Sequence, residues 1–515
     1  MMTIARSVVS LKGLSFSFYN ASCRALDGID LEIPEGQFVA ITGPSGCGKS
    51  TLAMAIGGYI PHVIEGKLEG TVVAGGLQTD RASLADLSTI VGIVQQDPES
   101  QLCTLEVDDE VAFGPENLAL PLDEVRKRVE RSLGLVNALH LRGRDIYELS
   151  GGEKQRVAIA SILAMQPRVL ILDEPTSNLD PTSTAEVLAA IARLRQESGL
   201  TIIVIEHKLD RIMPLADRLL IMDGGRIVMD GRPDEVLRLY RERIKAMGIR
   251  LPAEPGAEWR CVHANRQTDT PCEETVKVEG LRFSYDGKEV LHDVSFKACS
   301  GEIVGIIGPN GSGKTTFLAH LIGIHKPAQG SVQVCGESTK AGKVSRLARM
   351  AGYVFQNPNH QIFERTVRGE VGFACNNFGI DRETRDRRVD DALKRFGLSR
   401  YADRHPMGLS FGEKRRLNIC SVLPHQPRLL LMDEPFVGQD YFNVAAMTEE
   451  LQALKQEGKT ILMVSHDIDM VYRHCDRVVL FRDGRIAVDD APEAARLKIE
   501  ALGMKDYLPG GCPRE

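Results

Sequence analysis

A nine-residue stretch of the form G-x-x-x-x-G-K-[ST]-T occurs twice in this chain, and it constrains what lies on either side of it. The first copy is Gly43-Pro44-Ser45-Gly46-Cys47-Gly48-Lys49-Ser50-Thr51 and the second is Gly308-Pro309-Asn310-Gly311-Ser312-Gly313-Lys314-Thr315-Thr316. Each follows an apolar run, 38–41 or 303–307, and opens an apolar helical pattern. That strand–loop–helix context is what a phosphate-binding loop requires. The glycines let successive N–H groups curl around phosphate oxygens, and the helix N-terminus adds its positive dipole end. In such a loop Lys49 and Lys314 reach the β- and γ-phosphates of a nucleotide, and Ser50 and Thr315 reach Mg²⁺.

The rest of the chain repeats in nearly the same register. Lys49 to Lys314 is 265 residues; Gln96 to Gln356, Ser150 to Ser410 and Glu174 to Glu434 are 260 each; His207 to His466 is 259. So long a period means two whole domains rather than a solenoid of small units. Each half has about 250 residues, enough for one large α/β domain. The expected division is a first domain over 1–252, a linker over 253–275 and a second domain over 276–515. The linker is polar, lacks periodicity and contains Pro255 and Pro271. About 20 extended residues span roughly 65–70 Å, enough for the halves to face each other.

Composition narrows the function. The 515 residues are 43% hydrophobic with a net charge of −7, which argues against a general nucleic-acid partner. The basic runs 126–128 and 385–388 read as solvated helix faces. No apolar run approaches the roughly 18 residues of a membrane span, and the N-terminus lacks the apolar core of a signal peptide. Eleven cysteines without C-x-x-C pairs read as reduced thiols of a cytosolic protein.

Two further motifs carry chemistry. The runs 169–174 and 429–434 are apolar and end in Asp173-Glu174 and Asp433-Glu434. They read as buried parallel strands, and their carboxyl ends lie where ligands bind in open α/β sheets. The first acid suits Mg²⁺ through water; the second orients or deprotonates an attacking water. Ser150 with Gly151 and Gly152 precedes a helical pattern, and Ser410 with Gly412 is the copy. The serine can cap the helix while the glycines bare its first N–H groups, making a second anion site.

In both halves, over nearly the full length, the chain resembles the ATP-binding-cassette (ABC) ATPases. The resemblance implies an α/β fold: two nucleotide-binding domains, each with a RecA-like core, an antiparallel β-subdomain and a helical subdomain. It implies ATP and Mg²⁺ as ligands and a head-to-tail pairing of the two halves within one chain. One ATP site then joins Lys49, Ser50, Asp173 and Glu174 to Ser410 and Gly412. The other joins Lys314, Thr315, Asp433 and Glu434 to Ser150, Gly151 and Gly152. By position, Gln96 and Gln356 match the glutamine that contacts Mg²⁺ and water. His207 and His466 match the γ-phosphate-sensing histidine, and Asp180 and Asp440 the acid of the loop that crosses the interface. Phe18, or its neighbour Tyr19, and Tyr285 are the candidates to stack on adenine. Two departures fall in the second half: Phe411 replaces the first signature glycine, and Gln439 replaces a leucine. Hydrolysis is expected at both sites, with full symmetry in doubt where Phe411 serves.

The segments Gln96-Asp97-Pro98-Glu99-Ser100-Gln101 and Gln356-Asn357-Pro358-Asn359-His360-Gln361 look like those of energy-coupling-factor (ECF) ATPases, which power vitamin and metal importers. That resemblance implies an integral membrane T component, a substrate-binding S component, and a peripheral place on the cytoplasmic face of the membrane. Leu102, Leu105, Val111, Phe113, Ile362, Phe363 and Phe373 are expected to line two grooves for coupling helices. The alternatives are a sugar-importer tandem ATPase and a ribosome-associated tandem ATPase. The first lacks the Q-[DN]-P-x-x-Q pattern, and the second needs a long charged linker that this chain does not have.

Overall fold

Alternate residues of the short apolar strands point into two different cores. In Phe38–Thr42, Phe38 and Ala40 join one buried cluster while Val39 and Ile41 join another. In Val169–Asp173, Leu170 and Leu172 divide from Val169 and Ile171 in the same way. This is the two-residue period of a strand buried on both faces. The strands are accordingly the middle layer of a three-layer arrangement.

The computed structural model describes residues 7–19, 23–177, 179–251, 273–437, 439 and 441–510. The chain divides into two compact units, Met1–Ala253 and Glu254–Glu515. In the first, a six-stranded sheet runs in the order Arg226–Gly231, Arg218–Asp223, Phe38–Thr42, Thr201–Ile205, Val169–Asp173, Val91–Val94. Every pair is parallel except the edge pair of Arg226–Gly231 with Arg218–Asp223. A four-stranded antiparallel sheet led by Ser7–Phe18 covers one face, together with the helix Lys49–Ile56. Helices Val107–Asn117, Leu122–Leu135, Gly151–Ala164 and Pro181–Ser198 pack toward the other. Leu122–Leu135 buries Val125, Val129 and Leu133, one stripe at helical spacing, and leaves Arg126 and Lys127 in solvent.

The second unit repeats this design. Its sheet order is Ala351–Val354, Leu429–Asp433, Thr460–Val464, Ile303–Ile307, Arg477–Arg482, Arg485–Asp490, and a four-stranded antiparallel sheet is led by Glu274–Tyr285. That strand starts two residues inside the segment read as linker, whose stretch up to 272 lies outside the described residues. The α/β, two-cassette fold is as expected. Among the described residues no helix is long and apolar enough to cross a membrane. One expectation changes: Cys299 is disulfide-bonded, whereas Cys23, Cys47, Cys103, Cys335, Cys375, Cys420 and Cys475 are free thiols.

The Q-[DN]-P-x-x-Q segments have a local structural reason. Asp97 Oδ1 accepts the Glu99 N–H at 3.1 Å, and Asn357 Oδ1 accepts that of Asn359 at 2.9 Å. Each side chain caps a short 3₁₀ turn that begins at proline. The closing glutamine ties the turn back. Gln101 accepts from the Gln95 N–H and donates to the Ile93 carbonyl. Gln361 accepts from Phe355 and donates to Asn418 and Ser421.

A buried glutamate then holds the following loop in each half. Glu110 Oε2 accepts the Cys103 and Thr104 N–H groups at 3.0 and 2.9 Å and the Thr104 hydroxyl at 2.9 Å. Glu370 Oε2 accepts the Phe363 and Glu364 N–H groups, each at 2.8 Å. Neither role was expected from sequence. Glu110→Ala removes the acceptor of two part-buried amides, so we expect a stability loss of about 1 kcal/mol in chemical denaturation. Faster proteolysis around Leu102–Leu105 should accompany it.

Candidate functional site

The two phosphate loops share a backbone that only glycine permits at fixed points. Gly48 and Gly313 cap their helices with φ of 103° and 97°. A methyl carbon at Gly43 would lie 2.2 Å from the Met222 carbonyl oxygen, and one at Gly308 would lie 2.2 Å from that of Phe481. Gly46 and Gly311, with φ of 78° and 75°, face open space instead, which leaves room for an anion against their amides. Lys49 and Lys314 are buried, and their ammonium groups donate to loop carbonyls, Gly43 and Pro44 at 2.9 Å each, Gly308 and Pro309 at 2.8 and 2.7 Å.

Sheet register brings the acids to the same edge. The phosphate-loop strand and the acidic strand flank Thr201–Ile205 in one half and Thr460–Val464 in the other. Ile41 and Asp173 both pair with Ile205, and Ile306 and Asp433 both with Val464. Asp433 Oδ2 accepts the Thr315 hydroxyl at 3.0 Å and the Tyr353 hydroxyl at 3.3 Å. Burial pushes both Asp173 and Asp433 above the ordinary carboxylate range, against the opposing hydrogen bonds from Ser50 and from Thr315 and Tyr353. Asp173 Oδ1 is buried without a hydrogen bond. An orphaned hard oxygen beside a phosphate-loop hydroxyl fits Mg²⁺, which is bound by one or two carboxylates together with substrate phosphates. The described residues hold no all-protein cluster of three or more such ligands.

Glu174 and Glu434 lie one residue beyond their strands, each with positive φ, 48° and 50°. Such strain in a non-glycine residue clusters at functional sites. The backbone N–H groups anchor it, donating to Ile205 and Val464 at 2.9 and 3.0 Å. Glu174 receives the Gln96 side chain at 2.8 Å and His207 Nε2 at 3.0 Å. Burial favours its neutral form, but the His207 hydrogen bond and the charges of His207 and Lys49 outweigh that and hold it below its ordinary value. Glu434 lies 3.3 Å from His466 Nε2 and also accepts the His466 N–H at 3.0 Å. The halves differ at the glutamine: among the described residues the Gln356 side chain makes no hydrogen bond to Glu434. Its carbonyl is instead held by the fully buried Arg415, which also donates to Phe355 and lies 5.7 Å from the Phe411 ring centre.

The two signature serines behave as expected. Ser150 and Ser410 cap their helices in full capping boxes with Glu153 and Glu413. The pattern S-x-x-E made this readable. A methyl carbon at Gly152 would lie 2.5 Å from Ser183 Cβ, whereas one at Gly151 meets only Leu179 at 3.4 Å. The first glycine is therefore the replaceable one, which is where Phe411 stands. Gln439 occupies the place of Leu179, so the two departures fall on one contact. Phe18 and Tyr285 end the first strand of each antiparallel sheet, about two-fifths exposed. Tyr285 hydroxyl is 2.7 Å from His325 Nε2. Asp180 caps Pro181–Ser198 through the Ser183 N–H at 2.8 Å; Asp440 lies outside the described residues.

Of the expected groove residues, Leu105, Phe113, Phe363 and Phe373 are exposed and Leu102 is partly so. Val111 and Ile362 are core instead. Val111 is one turn from Val107 on the buried face of its helix, while Phe113 points away from it.

Comparison with known proteins agrees with this geometry. The family pattern described as "ABC transporter" matches residues 26–177 and 291–437. A Methanosarcina mazei protein, provisionally named an ABC transporter ATP-binding protein, is 36% identical over 98% of this chain and 92% of its own length. YkoD of Bacillus subtilis, provisionally named an HMP/thiamine import ATP-binding protein, is 34% identical over 96% of this chain and 93% of its own length. The solved structure of cbiO1 from Clostridium perfringens, part of the ABC transporter complex cbiONQ, is 35% identical over 48% of this chain and 96% of its own, with a TM-score of 0.42. The chain therefore belongs to the ABC transporter family, as a tandem-cassette ATP-binding protein whose ATPase activity is coupled to transport.

Proposed function

We propose that this chain is the motor of an ECF-type importer for a small molecule of the vitamin or metal-ion class. The observation that carries the reading is a pair of exposed apolar surfaces at equivalent places in the two helical subdomains. Phe363, 71% exposed, stacks on Phe373 with ring centres 6.1 Å apart. In the first half Phe113, 50% exposed, stands at the position equivalent to Phe373, and Leu105, 65% exposed, lies two residues after Cys103, the equivalent of Phe363. Exposed apolar surface marks interaction sites, and in each half the loop before the helix is tied down by the buried Glu110 or Glu370. The similarity to YkoD supports the same class.

The first cassette is 1–252, and the second starts with the strand that begins at Glu274, two residues before the boundary expected at 276. They pair head to tail, so Lys49, Ser50, Asp173 and Glu174 work with Ser410 and Gly412, and Lys314, Thr315, Asp433 and Glu434 with Ser150, Gly151 and Gly152. The loop amides and lysines bind the phosphates. Ser50 with Asp173, and Thr315 with Asp433, would hold Mg²⁺, which neutralises phosphate charge when bound. Glu174 and Glu434 take a proton from the attacking water, Gln96 and Gln356 orient it, and His207 and His466 report on the γ-phosphate. Phe18 and Tyr285 stack on adenine. Closure on ATP moves the apolar surfaces together with two coupling helices of a T-type membrane protein, and an S-type protein brings the substrate.

The test is a charge on each surface. Phe113→Asp with Phe373→Asp places unpaired carboxylates in an apolar contact, costing up to several kcal/mol of docking. We expect the purified variant to keep its ATPase activity while membrane association and uptake fall. A folded, ATP-binding variant that stays on the membrane and supports transport contradicts the assignment.

A further inference from the structure

The loop that carries the sensor histidine is held differently in the two halves, and one buried residue accounts for the difference. In the second half Ser465 Oγ accepts the Asp467 N–H at 3.1 Å, and Glu434 itself accepts the His466 N–H. In the first half Glu206 stands where Ser465 stands. Its Oε1 accepts both equivalent amides, His207 at 2.9 Å and Lys208 at 3.3 Å. Its other oxygen accepts the Thr176 hydroxyl at 2.6 Å. Thr176 in turn corresponds to Phe436, so the carboxylate and its hydroxyl partner are replaced together. Glu206 is 5% exposed. Burial raises it above the ordinary carboxylate range, with the Thr176 hydrogen bond opposing.

We propose that Glu206 is a positioning residue for the first ATP site. It takes the histidine-loop amides, which leaves both oxygens of Glu174 to Gln96 and His207 and keeps that carboxylate aimed at the water it activates. Glu206 touches neither substrate nor water in this scheme; it acts through His207 and Glu174. The inference rests on the assignment of Glu174 as the base.

Steady-state ATPase assays of the full chain test it, with Glu174→Gln as the reference. Glu206→Ala should remove most of the turnover that Glu174→Gln removes, with KM for ATP little changed. Combining the two should add nothing, because residues acting as one unit are not additive. Glu206→Gln keeps an acceptor for the two amides and a partner for Thr176, so it should restore most of the lost kcat, which a mere loss of stability would not explain. Should Glu206→Ala not fold, Thr176→Val decides, with a smaller fall in kcat at constant KM. The proposal is overturned if Glu174→Gln loses turnover while Glu206→Ala, or in its absence Thr176→Val, keeps it. It is also overturned if Glu206→Gln fails to rescue. If Glu174→Gln itself keeps wild-type turnover, the assignment of the base fails first and the inference goes with it.

Discussion

Replacing Glu174 and Glu434 together by glutamine is expected to leave ATP binding intact and to cut turnover by about 10²-fold or more, the contribution of a positioned general base. Each glutamate has a left-handed backbone at the carboxyl end of its strand, on the same sheet edge where the phosphate loop begins, with one strand between them. Each lies within contact distance of a histidine. Glutamine keeps the shape, and at position 434 an oxygen for the His466 N–H, but cannot take a proton. In the proposed assignment the phosphates are held by Gly43–Thr51 and Gly308–Thr316, which the substitution does not touch. Equilibrium ATP binding and phosphate release, measured on one preparation, decide the matter. Wild-type turnover in the double variant would remove the glutamates from the chemistry.

The second large effect tests the cross-facing sites. Ser410→Arg puts a bulky charge at the start of Phe411–Ser421 and breaks its capping box. If Ser410 serves the ATP held by Lys49, 361 residues away in sequence, then adding Lys49→Ala should cost little more, since both disable one unit. Adding Lys314→Ala should abolish what remains, because each site then carries a lesion. ATPase rates for the two pairs separate the cases. Equal, multiplicative losses in both pairs exclude the arrangement.

Much of this was legible in the residues because the motifs are local. A glycine loop between an apolar strand and a helix, a strand ending in two acids, and S-x-x-E at a helix start each encode their own geometry. Two copies in register raised the specificity of all of them. What could not be read depends on packing. Val111 and Phe113 are two residues apart, and only the helix face decides that one is core and the other surface. The partners of Glu110, Glu370 and Arg415 are backbone groups, which leave no mark on the sequence. Glu206 had a faint signal: a carboxylate directly before the histidine, at the end of a fully apolar strand, where the other copy has serine. A buried acid needs a reason, and the reason became visible only when the amides of His207 and Lys208 were placed beside it.

The most direct measurement is detergent purification of the tagged chain from its own membranes, with identification of the integral membrane proteins that accompany it. The account predicts a polytopic coupling protein and a small substrate-binding membrane protein, both lost from the Phe113→Asp, Phe373→Asp variant while its ATPase activity persists. A chain recovered on ribosomes, or one that brings no integral membrane protein under any nucleotide condition, would contradict it.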